Sequence, residues 1–370
     1  MGNGKIGRRF FAERIRPNLG ADRADVTLGP AHGCDFAVIE PGRTADDAPG
    51  ASGGGAGADT AASATTAAGS APAHAIVLAT DPISVLPELG YDRAGRFALH
   101  IVLSDVAVSG IAPSHLSIAF SLPTTVSDAA FGELWDAISD ECARLGVAVT
   151  TGHTARYPGA TLPWVGAATA LGVGDPDRIV RPDGARPGDR LVVTRGPAVE
   201  ATGLFASLFP DALDLPAETV ATAQERLDDV RLVGDALAAR EAGAVHAMHD
   251  ATEGGLLGAF HETAGAAGVR FEIERDAVPV APGVEPVCRA LGMDPWNATT
   301  AGTLIASVAA ADADAVVEAL RGRGTPAAVV GDVTAGSGVA VDGVDTEPPD
   351  GDASWPVYAA LSEASAADDR

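Results

Sequence analysis

Lysine is almost missing from this chain: Lys5 is the only one, and every other side chain of fixed positive charge is arginine. Basic residues number 25 against 50 acidic, a net charge of −25, so the surface repels nucleic acid and anionic membrane. Cysteine is also scarce. Cys34, Cys142 and Cys288 are the full set, and no CxxC spacing occurs, which argues against a zinc centre or a disulfide framework. No run approaches the ~18 apolar residues of a membrane span. The N-terminal Lys5, Arg8, Arg9, Arg14 and Arg16 are broken only by short apolar groups, so no signal core is read there. A soluble, cytoplasmic protein is expected. What is present is ample apolar material: 46% of 370 residues, enough for two globular domains. The acids run along the whole chain, which suits a halophilic habit in which salt screens the charges.

The order of patterns places two α/β units in tandem. Residues 46–72 are Ala, Gly, Ser and Thr with a few acids, and read as a flexible low-complexity insert between strand-like runs at 35–40 and 74–80. Strands are then expected at 75–79, 116–122, 147–150 and 164–173, with helices at 92–109 and 128–145. A break at Gly174-Asp175-Pro176 and another at Arg186-Pro187-Gly188-Asp189 mark a domain boundary, giving domains at 1–175 and 176–340. In the second unit, strands are expected at 190–194, 245–248, 269–273, 304–308 and 327–333. Helices are expected at 199–209, 220–242, 284–291 and 313–321. Residues 341–370 are acidic and read as a loose tail.

The most telling stretch is His249-Asp250-Ala251-Thr252-Glu253-Gly254-Gly255, followed by Leu256, Leu257 and Phe260 at helical spacing. A strand ends there in acid and glycine and turns into a helix, whose N-terminal N–H groups suit a phosphate or metal–phosphate ligand. By itself this stretch reads first as an ordinary acidic helix cap. Asp35 at a strand start and Asp81 at a strand end are, taken singly, turn residues. Asp105 shares a helical stripe with Ala98, Ile101 and Val102, which points a carboxylate inward, where it needs a cation or an arginine. Gly152-His153-Thr154 follows a strand, as either an exposed turn or a phosphate contact at a strand end.

Taken in order, Gly33-Cys34-Asp35, Thr80-Asp81, Ser104-Asp105, Gly152-His153-Thr154, Asp250–Gly255 and Gly292-Met293-Asp294-Pro295 resemble the motifs of the aminoimidazole ribonucleotide synthetase (PurM-like) superfamily. That superfamily takes in the purine cyclo-ligase, thiamine-monophosphate kinase, selenophosphate synthetase and the hydrogenase maturation factor HypE. The wording here is most similar to archaeal HypE-like members. The resemblance implies a two-domain α/β (α+β) fold. It implies an N-terminal sheet that pairs into a barrel in a homodimer, and a C-terminal α/β sandwich. It further implies ATP and Mg2+ as cofactors, with Asp35, Asp81 and Asp105 as metal ligands. Gly152, His153, Thr154, Thr252, Gly254 and Gly255 would hold the nucleotide, and Asp250, Glu253 and His153 would do the chemistry on a small-molecule substrate.

Four departures qualify that picture. Cys34 replaces an acid, His153 stands where an Asp or Glu is usual, and Ala301 stands where relatives often have glutamate. The chain ends in Ala366-Ala367-Asp368-Asp369-Arg370, without the terminal cysteine of HypE. Three readings therefore stand: an ATP-dependent enzyme activating or phosphorylating a small substrate; a cyclo-ligase-like or thiamine-monophosphate-kinase-like enzyme; or an inactive nucleotide-binding regulator.

Overall fold

The computed structural model describes residues 8–21, 23–31, 33–43 and 74–368; the low-complexity stretch at 46–72 lies outside the described residues. After a short helix α1 (Arg8–Phe10), the first half builds a six-stranded sheet. Its strands are β1 (Val26–Leu28), β2 (Ala37–Ile39), β3 (Ala75–Ser84), β4 (Pro113–Leu122), β5 (Ala148–Arg156) and β6 (Trp164–Gly174), in the order β1-β2-β3-β6-β4-β5. Every neighbouring pair is antiparallel except β4 with β5.

Helices α2 (Tyr91–Ala107) and α3 (Asp128–Leu145) pack together beside this sheet. The ends of α3 follow from local chemistry. Ser127 Oγ accepts the Ala130 N–H at 3.1 Å, and Gly146 closes the helix at φ 75°, a left-handed conformation that favours glycine. Between those caps, Leu134, Ala137, Ile138 and Cys142 recur at 3–4 residue spacing and are buried. Helix α2 is buried on most sides, because the sheet and α3 cover part of it and the second half of the chain covers the rest.

That second half has a seven-stranded sheet in the order β13-β12-β9-β11-β7-β10-β8. Its strands are β7 (Asp189–Thr194), β8 (Val245–Ala251), β9 (Arg270–Ile273), β10 (Thr303–Ala309), β11 (Ala327–Thr334), β12 (Gly338–Val341) and β13 (Val344–Thr346). The helices are α4 (Val199–Leu208), α5 (Ala217–Gln224), α6 (Val233–Ala242), α7 (Gly255–Ala267), α8 (Val284–Leu291), α9 (Ala313–Gly322) and α10 (Ser354–Asp368). One apolar cluster runs from the first sheet through α2 to α6, β8 and α9, so the two halves share a core. Among the described residues, no helix is long and apolar enough to cross a membrane.

The structure corrects four expectations. The stretch 220–242 is not one helix. It breaks into α5, a 3-10 turn (Glu225–Val230) and α6, because Leu227 and Val230 turn inward against Phe97 and Ala301. Strand β5 runs through Arg156 rather than stopping at Thr150. Strand β8 continues through Asp250 to Ala251 instead of ending before the acids. Finally, the loose tail expected beyond Val341 is ordered in large part: β12 and β13 form a hairpin, and Val357, Tyr358 and Leu361 of α10 pack on the core formed by α4 and α8.

Candidate active site

Four carboxylates meet where the two halves touch. Asp35 comes from the segment just before β2, Asp81 from β3, Asp105 from α2 and Asp250 from β8. Asp105 and Asp81 share a hydrogen bond, and Asp105 also feels the charges of Asp250 and Asp35. Burial, first, and then those three carboxylates hold the Asp105 carboxyl well above its usual range. Asp35, His249 and Asp250 each place an atom within 4.8 Å of the others.

The local folding explains the convergence. Gly33 sits at φ 71°, and a Cβ there would lie 3.0 Å from the Glu262 carbonyl of α7. That close approach docks the Gly33–Asp35 turn of the first half onto the second. It brings Asp35 to 3.6 Å from His249 Nδ1. His249 is fully enclosed, with Nε2 3.1 Å from Glu262 and Nδ1 2.8 Å from the Asp250 carbonyl. Burial alone would lower its pKa, but Asp35, Glu262 and Asp250 raise it to about 10, so the ring is a cation at neutral pH.

Asp35, Asp81 and Asp105 of the cluster line a cavity of about 500 Å³. Cys34, Asp35, Asp81 and Asp105 line it from the first half; Glu200, Thr252, Glu253 and Thr299 line it from the second; α10 contributes Ser354, Trp355 and Tyr358. The Cys34 thiol is pushed up to about 11, mainly by burial and then by Asp35, and Sγ donates to the Phe36 carbonyl. Such a thiol is no ready nucleophile.

Of the residues expected from sequence, Asp35, Asp81, Asp105, Asp250, Thr252 and Glu253 come together. The glycines of the second motif do not serve as expected. The Gly254 N–H donates to Asp352 Oδ2 at 2.8 Å, and the Gly255 N–H donates to the Thr252 carbonyl at 3.0 Å, so neither N–H is left to bind phosphate. Both residues are glycine for backbone reasons. Gly254 is left-handed at φ 82°, and a Cβ on Gly255, at φ 65°, would lie 2.5 Å from the Trp296 carbonyl.

The single chain does not bring Gly152, His153 and Thr154 to the cavity either. They stand exposed on β5, and register puts Asp81 opposite Ala168, Ala168 opposite Ile118, and Ile118 opposite Gly152. Three strand spacings separate Asp81 from Gly152, about 14 Å. His153 Nε2 instead lies 3.0 Å from the Tyr157 hydroxyl.

Sequence reasoning missed Glu200 and the aromatic wall. Glu200 Oε2 accepts from Thr299 Oγ1 at 2.6 Å and from the Ala301 N–H at 3.0 Å. A carboxylate therefore does reach Ala301, from a position about a hundred residues earlier. An acid in the first turn of α4, just after β7, was the available signal. For the wall, the signal was Trp355 and Tyr358 spaced i, i+3 in an otherwise acidic stretch.

Fold and site define a two-domain protein with an acid-lined cleft between its halves. Residues 58–173 match the N-terminal domain of AIR synthase related proteins, and residues 186–344 match the C-terminal domain. The carbamoyl dehydratase HypE of Rhizobium leguminosarum bv. viciae is 30% identical over 271 residues, which cover 72% of this chain and 75% of the relative. The chain belongs to the AIR synthase-related family. The crystal structure of Escherichia coli HypE, a hydrogenase maturation protein, superposes with a TM-score of 0.66 at 27% identity, covering 76% of this chain and 88% of that one. HypE in complex with ATP has the same fold, with a TM-score of 0.60 at 20% identity over 94% of this chain and 95% of that one.

Proposed function

We propose that this protein binds ATP with Mg2+ in the interdomain cleft and uses it to phosphorylate or otherwise activate a small molecule. One observation carries the reading: four carboxylates from two domains converge beside a cavity large enough for a small substrate. The donor set fits the metal. Magnesium prefers hard oxygen ligands, and the mutual repulsion that raises Asp105 is what a divalent cation relieves. Asp35, Asp81, Asp105 and Asp250 would hold it. When bound, it supplies the charge neutralisation that phosphoryl transfer needs more than covalent help.

The chain's own groups do the rest. Glu253 faces the cavity and is placed to take a proton from the acceptor, while Thr252 offers a hydroxyl to orient it. Helix α10 contributes Ser354, Trp355 and Tyr358 to the cavity wall. His249 keeps Asp35 in position through the contact between the halves.

The family relationship supports the nucleotide, since a member of the same fold is known in complex with ATP. A homodimer is part of the same proposal. Strand β5 is an edge strand whose nine residues are nearly all exposed, and a second copy laid along it would cover it and give Gly152, His153 and Thr154 a role at a shared site.

Calorimetric titration with MgATP, followed by an assay of ATP hydrolysis, tests the reading. Saturable binding that needs Mg2+ is expected, with loss in Asp81→Asn. No heat of binding sinks the proposal. Binding without turnover on any substrate turns the protein into a nucleotide-responsive regulator.

A further inference from the structure

We infer that the cavity beside the carboxylate cluster selects an uncharged or cationic aromatic molecule as its acceptor and rejects phosphorylated and carboxylated ones. The inference rests on the ATP-dependent reading and names the substrate class for the same site.

Charge supports the first half of the statement. Asp35, Asp81, Asp105, Glu200 and Glu253 line the cavity, and among the described residues no arginine, lysine or histidine does. An anionic acceptor would enter a low-dielectric space facing acids, with no side-chain cation to meet it. A magnesium ion held by the aspartates would be engaged with the triphosphate rather than with the acceptor. A cationic or neutral ligand meets no such barrier.

Shape and chemistry support the second half. The walls away from the acids are aromatic: Phe97 from α2, Trp164 from β6, Phe205 from α4, and Trp355 and Tyr358 from α10. Flat rings on several sides suit a planar ligand through stacking and edge contacts, and electron-rich faces suit a cation. One polar group would orient it. Both hydrogen bonds of Glu200 fall on Oε2, which leaves Oε1 as the oxygen a ligand would meet. Burial keeps this carboxyl above its ordinary range, so it can accept from a cation or donate as the neutral acid.

Three indoles of one ring system and different charge test this: tryptamine, tryptophol and indole-3-acetate. Each is titrated calorimetrically into the full chain in roughly 2 M potassium chloride, which screens the long-range effect of net charge. Tryptamine and tryptophol should bind, with indole-3-acetate at least tenfold weaker than tryptamine. Trp355→Ala, which removes a ring from the wall, should weaken tryptophol about three- to tenfold. Glu200→Gln should abolish the preference for tryptamine over tryptophol. Equal binding of the acetate, no binding by any indole, or no effect of either substitution overturns the inference. So does displacement of tryptamine by a non-hydrolysable MgATP analogue, since the rings would then hold the nucleotide base. The two readings fail separately. Indole binding in the expected charge order without MgATP binding removes the ATP reading alone, and MgATP binding without any indole binding removes the substrate class alone.

Discussion

Replacing Asp105 by asparagine should change the free and the nucleotide-bound protein in opposite directions. Asp105 lies beside Asp81, Asp35 and Asp250, and its carboxyl is held well above its ordinary range by burial and by those three charges. An acid whose folded pKa is raised stabilises the fold below its unfolded value of about 3.9, and that stability is lost as pH rises toward the folded value. With Mg2+ chelated, the wild-type protein should therefore lose stability as pH rises above about 4 in a way that Asp105→Asn does not. Asparagine is nearly isosteric with the protonated acid, so the metal-free variant should be as stable as wild type, or more stable by up to about 1–2 kcal/mol at neutral pH. Binding should move the other way. A unit-charge pair ~4 Å apart is worth about 4 kcal/mol at an effective dielectric of ~20, which sets the ceiling for losing one carboxylate from the metal site. A loss on the order of 2–4 kcal/mol corresponds to roughly 30- to 1000-fold weaker MgATP binding. Thermal melts across pH in chelator and calorimetry with MgATP read the two arms. If the variant binds MgATP like wild type, or melts more than about 2 kcal/mol less stable without metal, Asp105 is a structural residue and the argument is wrong.

Three further outcomes follow from the same structure. Cys34, with its thiol at about 11, should react with iodoacetamide at pH 8 about two orders of magnitude more slowly than free cysteine, by mass spectrometry; rapid labelling would restore it as a nucleophile. Gly255→Ala should cost about 2 kcal/mol or more in a denaturant melt, because a Cβ must enter left-handed backbone 2.5 Å from the Trp296 carbonyl; a change below about 0.5 kcal/mol would contradict the packing. Glu141 holds buried His100 at 2.6 Å and also pairs with Arg144; Arg144 first, then His100, set its carboxyl far below the ordinary range. Glu141→Gln should cost about 1–3 kcal/mol at pH 7, and the gap should close as pH falls below about 4, where a depressed carboxyl stops contributing; a gap that persists to low pH would assign the loss to packing instead.

How much of this was legible in sequence depends on how local the cause is. Helix α3 was readable to the residue, because Ser127, Gly146 and the apolar spacing between them act within one segment. Strand β5 was not, because an edge strand exposed on nearly every residue has no alternation to read, and Gly152-His153-Thr154 looks like a turn. Asp105 was legible as an inward acid, since helical spacing alone set it among apolar neighbours. Its partners were not, since Asp35, Asp81 and Asp250 reach it only through the tertiary fold. Glu200 and Trp355 were illegible for the same reason: one sits in α4 and the other in α10, and only packing of distant segments makes them walls of one cavity. Family resemblance supplied the order of the acids, but it also carried over the two glycines as phosphate binders, whereas Asp352 and Thr252 occupy their N–H groups.

The Gly33 turn resting on α7 has a mechanical consequence. Asp35, Asp81 and Asp105 belong to one half of the chain and Asp250 to the other, so the repulsion among them acts across the contact between the halves as well as within a pocket. His249, itself held by Glu262, reaches across that contact to Asp35 and opposes the load. A divalent cation settling there would turn a compressed spring into a latch, adding its hold to that of the core the two halves share. The rigidity of the whole molecule would then report on its nucleotide supply.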